Sequence, residues 1–445
     1  MSFEALLETA NGAVVDTSLD EAYDGTRRVG MMGLNVSPKM KALEVQVNWA
    51  RLTADTTSEV LTVEGFESAS LADETLDGLK DVWNRENMAA LSHLGHTEAL
   101  VQGEAFVIVG RRTDGSVRTT LHSRNGIAVN GDSDGRSAEA LVLFNVPNES
   151  GGAVSRAAYY TPDSIEVFQK ASNRWSSVSR APGVGVVPVV PLRNVLRVGD
   201  TRGRSEIEMV LPLGDASSRA MTLLQVAMEL LAIPQRWIAG VDTDKLRNQH
   251  GVAPTMEQLY LGSYMFAPTS ETRMGQFAGA DLSQIIAVLK TCAEQVSALT
   301  GIPPSMLGLI NTGNPNSAEA MRAAKERLIS RGEFKQAIFG DTWEQWARIV
   351  LAFEGHKDVN DIVLNTVWRD IAVASASAQS ANLLQAHAQG VISARTARDG
   401  LQLTPEQKQR ENKRDDMGEE AGTLGPLLGA GGEQTPPVVD EGEGV

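Results

Sequence analysis

Leu299-Thr-Gly-Ile-Pro-Pro-Ser-Met-Leu-Gly308, a short gap, then Asn314-Pro-Asn-Ser-Ala-Glu-Ala-Met-Arg-Ala-Ala-Lys-Glu-Arg-Leu328 is the stretch on which the reading of this chain turns. Before it, Leu282, Ile285, Ile286, Leu289, Cys292, Val296 and Leu299 recur at helical spacing. Asp281 and Gln284 are spaced as a capping box. At ~1.5 Å per residue this helix is a strut roughly 28 Å long. Gly301 ends it, and Pro303-Pro304 forbids its continuation. A second helix opens where Asn316 can cap the free amides and Glu319 complements the dipole. Between the two helices lies an uncharged loop, Leu309 to Asn316. On its residues alone, this loop is either a mobile element held on two rigid arms or an ordinary helix connector.

The chain has 445 residues, enough for two or three modest cores. Its 40 Lys and Arg against 56 Asp and Glu leave a net charge of −16. That sign disfavours a tight grip on nucleic-acid phosphates and favours solubility. The single cysteine, Cys292, lies on the apolar helix face and is read as a small core residue, with neither a disulfide framework nor a thiolate metal cluster. The acidic N-terminus lacks a signal-peptide pattern, and the apolar-leaning run Met221–Ile233 is far short of a membrane span. Synthesis in a reducing compartment is the expectation.

In chain order, Met40–Ala54 reads as an amphipathic helix, Leu61–Phe66 as an edge strand, and Leu76–Gln102 as one long helix stopped by Gly103. Glu104–Gly110 is a buried strand; further strands are expected at Val117–His122, Ala140–Val146, Ala153–Thr161, Ile165–Gln169 and Val186–Val190. Turn-forming residues separate them, so the fold class is α+β, built on antiparallel pairs. Asp215–Leu231 is a helix apolar nearly all round, which wants neighbours on several sides, and Pro212 is placed to kink its approach. Residues 233–280 are an irregular insert whose aromatics, Trp237, Tyr260, Tyr264 and Phe266 among them, favour an interface. Ser317–Phe353 is mostly helix, with Phe334, Ile338, Trp343, Trp346 and Ile349 on one side and Gly332 and Gly340 as points of bending. Ile362–Asp370 alternates as a strand returning to the N-terminal sheet, an Ala/Ser-rich helix runs to Gly390, and a last short helix opens at Thr404. Beyond Arg414 there are eight acidic residues and no basic one, the composition of a disordered tail.

Enzyme chemistry finds little purchase. There is no G-x-x-x-x-G-K-[ST] loop, Gly183-Val-Gly-Val-Val lacks a third glycine, and Asn148-Glu-Ser-Gly-Gly152 lacks the leading glycine of a nucleophile elbow. His93 and His96 share a helix without a completing carboxylate set and are read as structural.

The Leu299–Gly308 and Asn314–Leu328 runs resemble the region around the tunnel loop of bacteriophage portal proteins, the Gp6-like group of long-tailed phages. The helix leading through Gly103 into Glu104–Val109 resembles that family's wing domain. Gly203-Arg-Ser-Glu-Ile207 resembles its approach to the first stem helix. Trp368-Arg-Asp370 and Val391–Arg398 resemble its C-terminal pattern. The resemblance covers nearly the whole chain in order. It implies a portal-type subunit with an α+β wing over 1–200, a first stem helix region over 201–232, a small α/β clip over 233–280 and a second stem helix over 281–300. The tunnel loop then spans 301–316, a long helix and wing return strand 317–370, a helical crown 371–414 and an acidic tail 415–445.

It further implies a ring, usually of twelve copies, at one capsid vertex, through which a separate terminase ATPase drives double-stranded DNA. Implied partners are further copies of the chain, DNA held transiently, the terminase large subunit, the major capsid and scaffolding proteins, and the head–tail adaptor. Neither membrane, cofactor nor metal is implied, nor an enzymatic activity; the location is the virion after assembly in the host cytoplasm. Leu309, Asn311, Thr312, Gly313, Asn314, Asn316 and Lys325 are then the tunnel-loop residues facing DNA, and Trp237, Tyr260, Tyr264 and Phe266 the clip surface. Lys325, Arg327 and Arg331 are read either as local phosphate contacts or as a solvated helix face or an intersubunit pairing with Glu326 and Glu333. Two other classes stay open: a ring-forming head–tail adaptor that does not conduct DNA, and a DNA-processing enzyme.

Overall fold

A computed structural model describes residues 3–28, 40–131, 135–147, 153–172, 174–200, 202–231, 236–239, 273–276, 282–308, 318–372, 376–401, 403, 407 and 410–411. Residues 1–369 form one compact unit and residues 370–445 a second.

The first unit opens with α1 (Phe3–Gly12), α2 (Thr17–Asp24) and α3 (Trp49–Glu59). The expected helix over Met40–Ala54 is instead a short 3-10 turn at Met40–Leu43, an extended stretch, and α3. The reason is tertiary: the Val45 and Val47 amides donate to the hydroxyls of Thr222 (3.1 Å) and Ser218 (2.9 Å), partners that a helix would deny them. The expected single helix Leu76–Gln102 is likewise two, α4 (Asp73–Arg85) and α5 (Met88–Gln102), broken where Asn87 takes φ +53°. Glu86 at the break is buried and accepts two hydrogen bonds from Arg112 (2.7 and 3.0 Å) and one from the Thr119 amide (3.1 Å).

Among the described residues every paired strand is antiparallel. β2 (Glu104–Arg111) is the centre of a three-stranded sheet, between β3 (Val117–Ser123) and β9 (Val189–Arg193). Both faces of β2 are covered, which is why it reads as an unbroken apolar run. Ala105, Val107 and Val109 enter the main core, while Phe106 enters a second cluster with Ile127, Ala140 and Val189. A five-stranded meander follows: β4 (Ile127–Gly131), β5 (Ser137–Pro147), β6 (Ala153–Tyr160), β7 (Ser164–Ala171) and β8 (Arg174–Pro182). Leu6 and Ala10 of α1 pack on it against Ala128, Leu141 and Ala157. The strand expected to return to the N-terminal sheet is β12 (Asn365–Trp368); it pairs with β1 (Val63–Glu67) in a separate two-stranded ribbon.

α8 (Ala318–Glu354) is one helix of 37 residues, unbroken at Gly332 and Gly340. Its Trp343 and Trp346, both wholly buried, meet Trp83 edge-on at 5.6 and 5.3 Å. Trp343 Nε1 donates to His96 Nε2 (2.9 Å), and the His96 ring lies parallel to Phe339 at 5.2 Å. His93 Nδ1 meets Ser58 Oγ at 3.1 Å, so both histidines are built into the fold.

In the second unit, α9 (Ala376–Ala388) turns at Gly390 and α10 (Ala394–Gly400) packs back on it. Ser393 caps α10 by accepting from the Thr396 amide at 3.1 Å. The last helix expected at Thr404 lies largely outside the described residues.

Candidate functional site: a helix pair and the base of the loop helix

α6 (Leu211–Leu231) begins four residues before the expected Asp215, because Pro212 falls in its first turn, where a missing N–H costs nothing. It runs alongside α7 (Ser283–Thr300). The buried residues of α6 are mostly small, among them Ser217, Ser218, Ala220 and Thr222, of which Ser218 and Thr222 accept from the Val47 and Val45 amides; on α7, Ala293, Val296 and Thr300 are buried. Cys292 is half-buried against the main core. The outer faces are a different matter. Leu223, Met228, Ile286, Val288 and Leu299 all stay exposed, Met228 and Ile286 at 56%.

α7 ends at Gly301, in the left-handed conformation at φ +77°, with its amide donating to the Ser297 carbonyl (2.9 Å). A Cβ on Gly301 would sit 3.0 Å from Arg327 Cγ, so the helix end touches α8 there. The chain then makes a 3-10 turn, Pro304–Leu307, and passes into the loop.

Where the helix pair meets the body, a charge cluster is buried. The Glu206 carboxylate, wholly buried, accepts from Lys335 Nζ (2.8 Å), from Asn194 Nδ2 (3.0 Å) and from Arg331. Lys335 also donates to Asn194 Oδ1, and Arg331 Nη1 donates to the Leu299 carbonyl (2.5 Å). Burial works to raise the Glu206 carboxyl, but Lys335 and Arg331 outweigh it and hold it below the ordinary glutamate range. Burial pulls the Lys335 ammonium below its ordinary value, with Glu206 opposing. Four segments are thereby joined: the end of β9, the approach to α6, the end of α7, and α8. The backbone closes on itself at the same place. The Glu206 amide donates to the Leu100 carbonyl at 2.8 Å, and a Cβ on Gly203 would lie 1.7 Å from the Gly103 carbonyl oxygen, so no side chain fits.

Of the residues singled out from sequence, Leu309, Asn311, Thr312, Gly313, Asn314 and Asn316 lie outside the described residues, as do Tyr260, Tyr264 and Phe266 and the caps Asp281 and Asn316. Trp237 is described only in its backbone, in β10 (Arg236–Ala239), paired with Gly275 of β11 (Arg273–Gln276). Lys325 is exposed on α8. Arg331 corrects the reading of a solvated helix face: its guanidinium turns inward to Glu206 and Leu299. Arg327 packs on Gly301. Lys335 and Asn194 were not singled out at all, and Glu206 entered only as a member of the Gly203–Ile207 run. The one local sign is that Arg331 and Lys335 lie one helical turn apart beside an apolar face. Among the described residues no group of three or more His, Cys, Asp or Glu could hold a metal ion, and no helix is long and apolar enough to cross a membrane.

A family model described as phage portal protein, SPP1 Gp6-like, matches residues 18–421. The portal protein of Mycobacterium phage L5 is 33% identical over 432 residues, covering 92% of this chain and 87% of that protein. The portal protein of Mycobacterium phage D29 is 33% identical over 427 residues with the same coverage. Among solved structures, a chain from the virion of a native gene transfer agent particle aligns at 15% identity and a TM-score of 0.44, over 87% of this chain and 99% of that one. A chain from the neck of the empty particle aligns at 15% identity and a TM-score of 0.45, over 87% and 93%. The match over residues 18–421, with relatives 33% identical along 92% of its length, makes the chain a member of the SPP1 Gp6-like phage portal protein family.

Proposed function

We propose that the chain assembles into a closed ring, of twelve copies as its family resemblance implies, at one vertex of a phage head, and that double-stranded DNA passes through the ring during packaging and ejection. The observation that carries this is the apolar outer surface of the helix pair, where Leu223, Met228, Ile286, Val288 and Leu299 are exposed. A monomer gains nothing from such a face, whereas a ring covers it with the next copy, as a closed heterologous interface requires. On this reading 1–200 is the wing, α6 and α7 are stem helices, 233–280 is the clip that meets terminase and then the head–tail adaptor, and 301–316 is the tunnel loop. Residues 317–370 return to the wing, and 371–414 form a crown. Capsid and scaffolding proteins meet the wing, and the protein resides in the virion.

The uncharged loop suits the task. Duplex DNA carries about one charge per 1.7 Å, so a basic bore would retain it, while Asn311, Thr312, Asn314 and Asn316 offer weak hydrogen bonds without trapping it. The buried charge cluster gives the helix behind that loop a fixed base.

Native mass spectrometry with averaged micrographs tests assembly. Twelve copies of 47.7 kDa give a closed ring of about 570 kDa. A chain that stays monomeric even when made with its capsid proteins overturns the reading. Asn314→Lys and Asn316→Lys test passage: rings should form while DNA packaging falls about tenfold or more. Normal DNA-filled heads from both variants would favour a ring-forming adaptor that conducts no DNA.

A further inference from the structure

β8 is the open edge of the five-stranded sheet: β7 pairs with it on one side and, among the described residues, no strand lies on the other. Every residue of β8 except Trp175 is exposed, and Val178 stands out at 50%. Such an edge offers a row of unused N–H and C=O groups to another extended chain.

The charge along this edge runs against that of the molecule. Val167 to Pro182 contains Lys170, Arg174 and Arg180 and no carboxylate, in a chain of net charge −16. Glu166, opposite Arg180 in the β7–β8 register, is the nearest acid along the strand. Beside the edge is a hollow of about 300 Å³, lined by Asn11, Asn125, Asn145, Ser155, Lys170 and Trp175 among others and by no acidic residue. Asn145 faces Ser155 and Lys170 faces Trp175 in register, which sets these four on the face that α1 covers. Lys170 Nζ stands 6.0 Å from the centre of the Trp175 ring.

We propose that β8 is a docking edge for an extended, net-acidic segment of a protein partner, which adds a sixth strand and places one carboxylate in the hollow beside Lys170. The cations do two jobs. A second copy of β8 laid along the first would set like charges against each other, which is disfavoured, whereas an acidic strand gains at the same positions. A nucleic acid fits less well, because phosphates have no donors for the carbonyl half of the edge.

The test uses the full chain and fluorescence anisotropy with labelled ten-residue peptides. One alternates Glu and Val, a second alternates Lys and Val, and a third is the Glu peptide with alternate backbone amides methylated. Saturable binding is expected for the unmodified Glu peptide, and at least about tenfold weaker binding for the other two. Lys170→Glu and Arg174→Glu should each weaken the Glu peptide about tenfold with an unchanged circular dichroism spectrum. Equal binding of the methylated peptide overturns the proposal, since it would show charge without strand pairing, and that comparison needs no variant to fold. Absence of saturation up to about 1 mM, or displacement of the peptide by duplex DNA at matched charge, overturns it as well.

Discussion

At Phe339, Trp343 and Trp346 the loop helix α8 is held by rings against rings; about one to four turns nearer the loop, at Arg331 and Lys335, the same helix is held by a buried carboxylate. Ring packing is large and weakly directional. A carboxylate that accepts from Lys335, Arg331 and Asn194 is satisfied in one geometry only. The two grips therefore supply different things: the rings supply most of the burial, and the charges fix where α8 stands against the ends of α6 and α7. Buried ion clusters often stabilise less than apolar packing of the same volume, yet cost heavily when one member is removed.

The sharpest way to break the comparison is Lys335→Met. It leaves Glu206 buried with one cation fewer, and the expected loss is about 3–5 kcal/mol, read from the urea midpoint by tryptophan fluorescence. Adding Glu206→Leu should restore much of that loss, because the uncompensated charge is gone. If the double variant recovers stability but the proposed rings lose uniform symmetry in averaged micrographs, the charges set register. If stability stays as low as in the single variant, the cluster is a net source of stability and the two grips differ less than their chemistry suggests.

A second expected effect separates the grips by pH. Burial, with His93 adding to it, pushes His96 down to about 3, so the ring cluster holds it neutral. An unfolded histidine titrates near about 6.5, so the unfolded chain takes the proton first as pH falls. The stability tied to neutral His96 is whole above about pH 6.5 and is lost from there down to about pH 3, at roughly 1.4 kcal/mol per unit. Glu206 is a carboxyl held low. Its contribution is present above the ordinary glutamate value of about 4.3 and is lost as pH falls through its lower folded value. Between about pH 6.5 and 4.5 the ring grip should weaken alone. Urea midpoints across that window should slope in the parent protein and slope less steeply in His96→Gln, where the remaining slope belongs to His122, which burial also holds below the ordinary histidine value; an unchanged slope would clear His96 of the effect.

These two grips were unequally legible. Phe334, Ile338, Trp343, Trp346 and Ile349 announce a helix face by spacing, and the structural reading of His93 and His96 follows from the lack of a ligand set around them. Phe334 nonetheless stays 53% exposed, which spacing cannot foresee. Glu206 and Lys335 lie 129 residues apart, and no local pattern pairs them. β8 escaped notice because Trp175 and Val178 are its only large apolar residues, so no alternation appears; the register comes from β7. The break at Asn87 and the extended stretch before α3 were hidden for one reason: their backbone is set by distant partners, Arg112 and Thr119 in one case, Ser218 and Thr222 in the other.

The smallest expected effect sits where the two arms approach, at Gly301. With φ at +77° an alanine there is strained, and its Cβ would lie 3.0 Å from Arg327 Cγ and 3.3 Å from the Arg327 carbonyl carbon. The side-chain atom can yield, but the backbone carbon belongs to a helix fixed one turn on by Arg331. Gly301→Ala should cost about 1–2 kcal/mol, and Gly301→Asn less of the conformational part, since asparagine tolerates this region. The loss should be local. Hydrogen exchange should quicken over Thr300–Leu307 and around Arg327, while amides beside Trp343 and Trp346 keep their protection. Should exchange rise equally at the tryptophans, the end of α7 and the ring core would be one cooperative unit, and α8 would have a single grip with two chemistries.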